Sequence, residues 1–336
     1  MSVNDKMKKV IRFIPRSIAV RFSVLDMTLC LLIIGIIMGL AGCAIRDGLQ
    51  NMVKTAEYRK MMERQKEAAN AEEEEISNKI PGSTAEGYEG LGDRYLSRGN
   101  LDMAFIQYSK ALRLDPAQSQ IHYKIGRLFL EKGLIEEAKK EFDGILKVAP
   151  NRGLAYEGMG RVYFKMGEFY EAEKNFRQAI KLDSALWQAH NFLGIIYDRQ
   201  GKCESAILEY KAAITLQPKT GTLFNNLGMS LFLKGEYQKA LQAFSEALKT
   251  ETSNSRIYNN LALALCKLER YEDAFEAFKK GGDEASAYYN LGYIYMKEGK
   301  HQKAIEAFEK AIEIKPGFYV NAYENMKKAK AATHIP

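Results

Sequence analysis

The chain has 336 residues, and its 46% hydrophobic and 27% charged residues are the balance of an ordinary soluble globular protein. Its formal charge of +7 is unevenly spread: Lys6, Lys8, Lys9, Arg12, Arg16 and Arg21 against Asp5 and Asp26 put +4 before Cys43, leaving +3 for everything after. That mixed-sign remainder argues against nucleic acid as a partner, because phosphate neutralisation needs a concentrated basic patch.

The first element in chain order is an uncharged run from Met27 to Ile45, MTLCLLIIGIIMGLAGCAI, behind the basic stretch. As a helix its 19 residues would span about 28 Å, enough to cross a bilayer with the basic flank in the cytoplasm, as a signal anchor does. A second reading comes from Leu40, Ala41, Gly42 and Cys43, which resemble a bacterial lipobox. That resemblance implies that residues 1–42 are a lipoprotein signal peptide, cleaved just before Cys43. The Cys43 sulfur would take a diacylglyceryl group and its freed amine a further acyl chain, a firm anchor. The lead of about 26 residues is long for a signal peptide, which makes Met7 a candidate start. Ala44 stands where enteric lipoproteins retained in the inner membrane carry Asp, so the likeness favours the outer membrane.

Residues 43–84 read as a charged spacer. Leu49, Met52, Val53 and Ala56 are at helical spacing, Glu72–Glu75 make a charge run, and Pro81, Gly82 and Ser83 break the chain. The run reads as a solvated stalk that lifts the rest of the chain off the membrane, or as a binding arm.

From Ala85 to Phe318 one phrase returns every 34 residues. With Ala85 as position 1, the first copy places Tyr88, Leu91, Gly92, Tyr95, Gly99, Ala104, Tyr108, Ala111 and Pro116 at positions 4, 7, 8, 11, 15, 20, 24, 27 and 32. The copies are 85–118, 119–152, 153–186, 187–220, 221–254, 255–284 and 285–318, followed by a polar-faced capping helix over 319–336. Positions 4, 7, 8 and 11 share one face of a helix, and 20, 24 and 27 one face of the next. Neither helix could bury that face alone, whereas stacked copies can. Small residues at 8 and 20 predict close approach of the two backbones. Gly at 15 suits a left-handed helix end, and Pro at 32 stops the second helix. The sixth copy is four residues short, with Gly281 as its helix stop and Asp283 as the next N-cap. The lost turn either re-angles the last copy or is a tolerated loop deletion.

The order aromatic, Leu-Gly, Tyr, then Ala, aromatic, Ala, Pro is similar to the tetratricopeptide repeat (TPR). The resemblance implies an all-α right-handed superhelix of seven helix-turn-helix repeats with a C-terminal capping helix, preceded by the membrane-targeting segment. It also implies a concave groove lined by the first helices, faced by positions 2, 5, 6, 9, 12 and 13. In the first three repeats those positions are charged: Glu86, Glu89, Asp93, Lys124, Arg127, Glu157, Arg161 and Lys165. From the fourth onward they are nearly neutral: Asn191, Phe192, Ile195, Asn225, Asn226, Met229, Phe232, Asn259, Asn260, Leu263, Tyr289, Asn290, Tyr293 and Met296. Asn226, Asn260 and Asn290 share position 6 and resemble the asparagine ladders with which some TPR domains grip an extended peptide. A side-chain amide both donates and accepts, so it can pair with backbone whatever the sequence, while Met and aromatics take varied side chains. The alternative is that Asn before Leu-Gly only caps or solvates helix ends. Asn191 sits at position 5, out of that register, and Lys124 with Arg127 matches only part of a TPR carboxylate clamp.

The resemblance implies a non-catalytic protein whose partners are proteins or extended peptide segments, with no cofactor and no metal. Outside the repeats no phosphate loop, nucleophile-base pair or paired carboxylates stand in a pocket-forming context. The cysteines form no CxxC, and Cys203 and Cys266, nearly two repeats apart, read as unpaired. His122 and His190 occupy packing position 4, and His301 and His334 read as solvated. From Phe224 to Gly299 the order NNLGMSLFLKGEYQKALQAF, YNNLALALCKLERYEDAFEAF, YYNLGYIYMKEGK is similar to Tad pilus assembly lipoproteins, with type IV pilus pilotins as neighbours. That likeness implies a membrane-anchored scaffold for assembly of a bacterial cell-envelope machine, facing the periplasm. An adaptor that recruits peptidoglycan-modifying enzymes is the alternative.

Overall fold

The computed structural model describes residues 84–316 and 320–333, with residue 60 as an isolated further position. The chain divides into two units, Met1–Gly82 and Ser83–Pro336, and the second holds the repeat helices. The apolar run at 27–45, the lipobox with Cys43 and the spacer up to Ser83 lie outside the described residues. Among the described residues no helix is long and apolar enough to cross a membrane.

The fold is all-α, as the repeat pattern requires. The helices fall in pairs: α1 (Ala85–Ser97) with α2 (Leu101–Leu114), α3 (Ser119–Glu131) with α4 (Ile135–Val148), and α5 (Gly153–Met166) with α6 (Phe169–Leu182). The pairs continue as α7 (Trp187–Arg199) with α8 (Cys203–Leu216), α9 (Gly221–Leu233) with α10 (Tyr237–Thr250), and α11 (Ser255–Lys267) with α12 (Tyr271–Gly281). The last pair is α13 (Glu284–Lys297) with α14 (His301–Ile314), and α15 (Val320–Thr333) packs on it.

Local chemistry sets the helix ends. Thr84 and Asn100 cap α1 and α2 through side-chain oxygens that accept from the backbone of Gly87 and Met103. Between the two helices of a pair the chain turns through the left-handed region at Gly99, Gly133, Gly167, Gly201, Gly235 and Gly299. The sixth repeat makes the same turn at Glu269, with φ of 59° and no glycine to relieve it.

The core of each repeat is one ring against one glycine. A Cβ on Gly92 would stand 2.4 Å from the Tyr108 ring, and Gly126, Gly160, Gly194, Gly228 and Gly292 face Phe142, Phe176, Tyr210, Phe244 and Phe308 in the same way. All six rings are buried, as are the alanines at position 20 from Ala104 to Ala304. The small residue at position 8 suggests by its size a close pair of backbones; what fills its space is the aromatic at position 24.

In the sixth repeat Ala262 takes the glycine's place and is buried in one cluster with Phe278, but α12 is shorter than its counterparts and ends at Gly281. There the missing Cβ would meet Asn259 Oδ1 at 2.8 Å and the Ser255 carbonyl at 3.0 Å, so only glycine closes the end of α12 onto α11. Asp283 then starts α13 with a capping box to Ser286. On α15, Ala322 and Ala329 are buried, while Asn321, Glu324, Lys327, Lys328 and Lys330 are exposed with Val320 and Tyr323, so its outer face is largely polar.

Gly194→Ala pushes its new Cβ to 2.6 Å from Tyr210, and is expected to cost about 1–3 kcal/mol. Gly144→Ala in α4 meets nothing within 4 Å, and should gain about 0.5–1 kcal/mol. Thermal melts followed by circular dichroism distinguish the two, and equal shifts would contradict the ring-on-glycine packing. Glu269→Gly should raise stability by roughly 1 kcal/mol by relieving the left-handed turn; a melting temperature that stays put or falls would show that Glu269 is compensated elsewhere.

Candidate peptide-binding face

First helices of successive repeats touch one another across α3–α5, α5–α7, α7–α9, α9–α11 and α13–α15, whereas second helices meet first helices and not each other to that extent. Positions 5, 6 and 9 of neighbouring repeats therefore fall together on one continuous face. The α11–α13 step, at the short sixth repeat, lacks contact of that extent, as does α1–α3.

In the first three repeats the face is a charge network. Lys124 Nζ lies 2.6 Å from Glu89 and 2.7 Å from Asp93, so one lysine is held by two carboxylates of the previous repeat. Asp93 also accepts from the Tyr108 hydroxyl at 2.7 Å, which ties the face to the buried ring below it. Burial, with that hydrogen bond, pushes the Tyr108 phenol up and keeps it a donor. Glu157 is fully buried, and its Oε1 accepts from Tyr123 at 2.6 Å. Arg161 approaches the same oxygen only to 3.9 Å, and Glu157 Oε2 has no partner. Burial raises the Glu157 carboxyl, partly opposed by the Tyr123 hydrogen bond.

In the later repeats amides replace charges. Asn226 Nδ2 donates to Asn191 Oδ1 at 3.0 Å, and Asn260 Nδ2 donates to Asn225 Oδ1 at 2.8 Å. Position 6 of one repeat thus pairs with position 5 of the repeat before, so Asn191 belongs to the first rung rather than out of register. Each pair uses one donor and one acceptor, and an amide has two of each. Asn191, Asn226 and Asn260 are half-buried, whereas Asn225 is only 8% exposed and has less to offer a ligand. The third rung is not formed. Asn259 sits over Gly281, and Asn290, on the far side of the short repeat, makes no hydrogen bond to it.

Most of the apolar positions expected to line a groove are used by packing between repeats. Phe192 stacks on Phe176 at 5.2 Å and meets Phe164 edge-on at 5.1 Å. Ile195, Met229 and Phe232 pack against the same central core, with Phe232 also against Tyr237. Leu263 packs on the core of the sixth repeat, and Tyr289 and Met296 on that of the last. Tyr293 is the one of these that stays clearly exposed, at 41%.

His122 and His190 are structural, and His334 lies outside the described residues. His122 Nδ1 lies 2.7 Å from Glu141 and its Nε2 3.2 Å from the Pro116 carbonyl; His190 repeats this with Glu209 at 2.6 Å and Ser184 at 3.3 Å. His301 is half-buried rather than solvated, with its Nδ1 unpartnered. Cys203 and Cys266 are free thiols, and burial pushes Cys266 up to about 12, which keeps it unreactive. A cavity of about 260 Å³ against α6 is lined by Tyr170, Glu173, Arg177 and neighbouring lysines, on a second helix and away from the amide rungs. Among the described residues no cluster of His, Cys, Asp or Glu could hold a metal ion.

A family model described as the cilia and flagella-associated protein 70 C-terminal domain matches residues 46–287. The chain belongs to this family. A tetratricopeptide repeat model matches residues 285–318, so the two matches together run through the last helix pair. Both describe TPR domains, which bind protein and peptide segments and are typically not enzymes. No curated protein matches the sequence. Among solved structures, the APC/C hetero-tetramer Cut9–Hcn1 is similar at 20% identity and a TM-score of 0.53, over 78% of this chain and 51% of that one. The chain thus spans about half the length of that relative. PilF of Pseudomonas aeruginosa is similar at 21% identity and a TM-score of 0.50, over 65% and 98%. The C-terminal part of a TPR protein from Cytophaga hutchinsonii is similar at 18% identity and 0.50, over 70% and 98%. These likenesses establish the fold alone; the family matches are what make the chain a TPR scaffold for protein interaction.

The hydrogen bond to Glu141 raises His122 above its ordinary 6.5, and burial raises Glu157 above 4.5. A raised value means the folded chain holds protons that the unfolded chain has released. The His122 contribution is therefore full below about pH 6.5 and is lost as pH rises through the folded value. The Glu157 ionisation penalty grows in the same direction. The melting temperature should be higher at pH 6 than at pH 8, and His122→Gln should shrink that difference; a flat profile, or one unchanged by the substitution, would contradict it.

Proposed function

We propose that the protein is a membrane-tethered scaffold that holds extended segments of partner proteins on the face made by its first helices. The observation that carries this reading is the pair of amide rungs, Asn191 with Asn226 and Asn225 with Asn260, spaced one repeat apart on that face. The unused donors and acceptors of each rung suit a peptide backbone, whose groups recur whatever the side chains.

Two settings have a specific observation each. The family match over residues 46–287 supports an assembly in a cilium or flagellum. The basic stretch, the apolar run at 27–45 and the tetrapeptide Leu40–Cys43 support a lipid-anchored protein of the bacterial envelope, facing the periplasm and favouring the outer membrane. In that second setting the scaffold serves assembly of a machine such as a Tad or type IV pilus, with recruitment of peptidoglycan-modifying enzymes as the rival role.

Two measurements test this. Metabolic labelling with a fatty acid should mark the wild type and not Cys43→Ser if the envelope setting holds. An unlabelled protein that keeps its first 42 residues would remove the lipoprotein and leave the ciliary or flagellar setting. In-cell crosslinking and affinity capture should recover a defined partner set from the wild type that is depleted by Asn226→Ala with Asn260→Ala. Pilus or secretin components among those partners would support the assembly role and peptidoglycan enzymes the adaptor role. Partners indifferent to both substitutions would remove the rungs from the binding site.

A further inference from the structure

Arg127 and Arg161 hold position 9 of the second and third repeats, the same place on the first-helix face one repeat apart, on α3 and α5, which touch. Each guanidinium lies over an aromatic ring, Arg127 at 5.9 Å from the Tyr123 centroid and Arg161 at 5.5 Å from Phe192. Stacking engages the flat face of the group and leaves its N–H edge to bind. Among the described residues no carboxylate takes that edge at hydrogen-bonding distance. Glu157 reaches Arg161 only at 3.9 Å, and Arg127 Nε is buried with no partner. The Arg161 side chain is 16% exposed, and its long ion pair with Glu157 leaves its hydrogen-bonding capacity unused at that depth. Lys124, beside them, is different: Glu89 and Asp93 already hold it.

We propose that Arg127 and Arg161 together receive one acidic side chain, Asp or Glu, from an extended protein segment lying along the first-helix face. The proposal rests on the reading of that face as the binding surface and adds the chemistry of its occupant. A carboxylate can take a hydrogen bond from each guanidinium, the charge-assisted geometry that arginine favours. A lysine or arginine at the same point meets two cations and is rejected. Beyond the acidic residue the segment meets the uncharged rungs of the later repeats, which read backbone. Glu157 acts from behind as a competitor: its unpartnered oxygen draws the same guanidiniums, so it lowers affinity for the incoming acid.

The test uses the full chain in detergent and an array of decapeptides of unbiased composition. Peptides retained by the wild type should be enriched in Asp or Glu, and Glu→Gln in the best of them should weaken binding about tenfold. Raising salt should weaken acidic binders selectively. Arg127→Gln with Arg161→Gln should abolish the acidic preference, and Arg127→Lys with Arg161→Lys should keep it at lower affinity, which serves if the glutamine pair unfolds the repeats. Glu157→Gln should strengthen acidic binders, a gain that a purely structural role would not produce. An acidic preference that survives the glutamine pair, or its absence from a wild type that does bind peptides, overturns the proposal. Asn226→Ala with Asn260→Ala separates the two ideas: unchanged binding contradicts the rungs and leaves the arginine receptor standing. A wild type that retains no peptide contradicts both.

Discussion

Everything in the array depends on a ring lying where a side chain would otherwise be. In six of the seven repeats the aromatic at position 24 packs so close to the glycine at position 8 that a Cβ there would overlap it. That contact fixes how the second helix of a repeat crosses the first. Interiors packed at this density accept little change in volume, and the same ring-on-glycine contact recurs from Gly92 and Tyr108 to Gly292 and Phe308. A repeat protein adds such units through nearest-neighbour contacts, so a contact that recurs inside each unit favours a recurring offset between units. The offset brings position 5 of one repeat against position 6 of the next.

The binding face is a product of that offset. Where positions 5 and 6 are Asn, the repeats are joined by amide pairs; where they are Glu and Lys, by the ion pair of Glu89 with Lys124. The same geometry therefore yields a charged half and a neutral half on one surface. The interruption is as informative as the regularity. The sixth repeat has lost a turn, carries a strained Glu269 where the others have glycine, and closes on Gly281; beyond it the amide rungs stop. The short repeat thus marks off the last repeat and its cap from the continuous stretch before them.

Much of this is legible in the residues, and the rest is hidden for a common reason. The helix pairs, the glycine turns, the Asp283 cap and the all-α fold follow from spacing, because a 34-residue period states which residues share a face. Spacing does not state which atoms meet between repeats. Asn191 therefore looks misplaced at position 5 although it completes a rung, and Asn290 looks equivalent to Asn226 although it follows the short repeat and forms no rung. Phe192 and Met229 look like groove residues in the sequence, yet packing between repeats covers them, and an apolar residue at position 6 or 9 serves a neighbour or a ligand equally well. Glu269 is detectable, being the one position-15 residue that is not glycine. The weakly paired arginines are not, since a charge looks alike with or without a close partner until the partner's distance is known.

The central claim is that partners lie on the first helices and not on the second. A photo-crosslinking residue in place of Leu233, exposed at 58% on first helix α9 between the amide rungs, and another in place of Leu208, exposed at 68% on α8, test it in the cell that makes the protein. The account predicts a discrete crosslinked partner from the Leu233 position and none of that mass from the Leu208 position. The same partner captured from Leu208, with nothing from Leu233, would place binding on the second helices and contradict it.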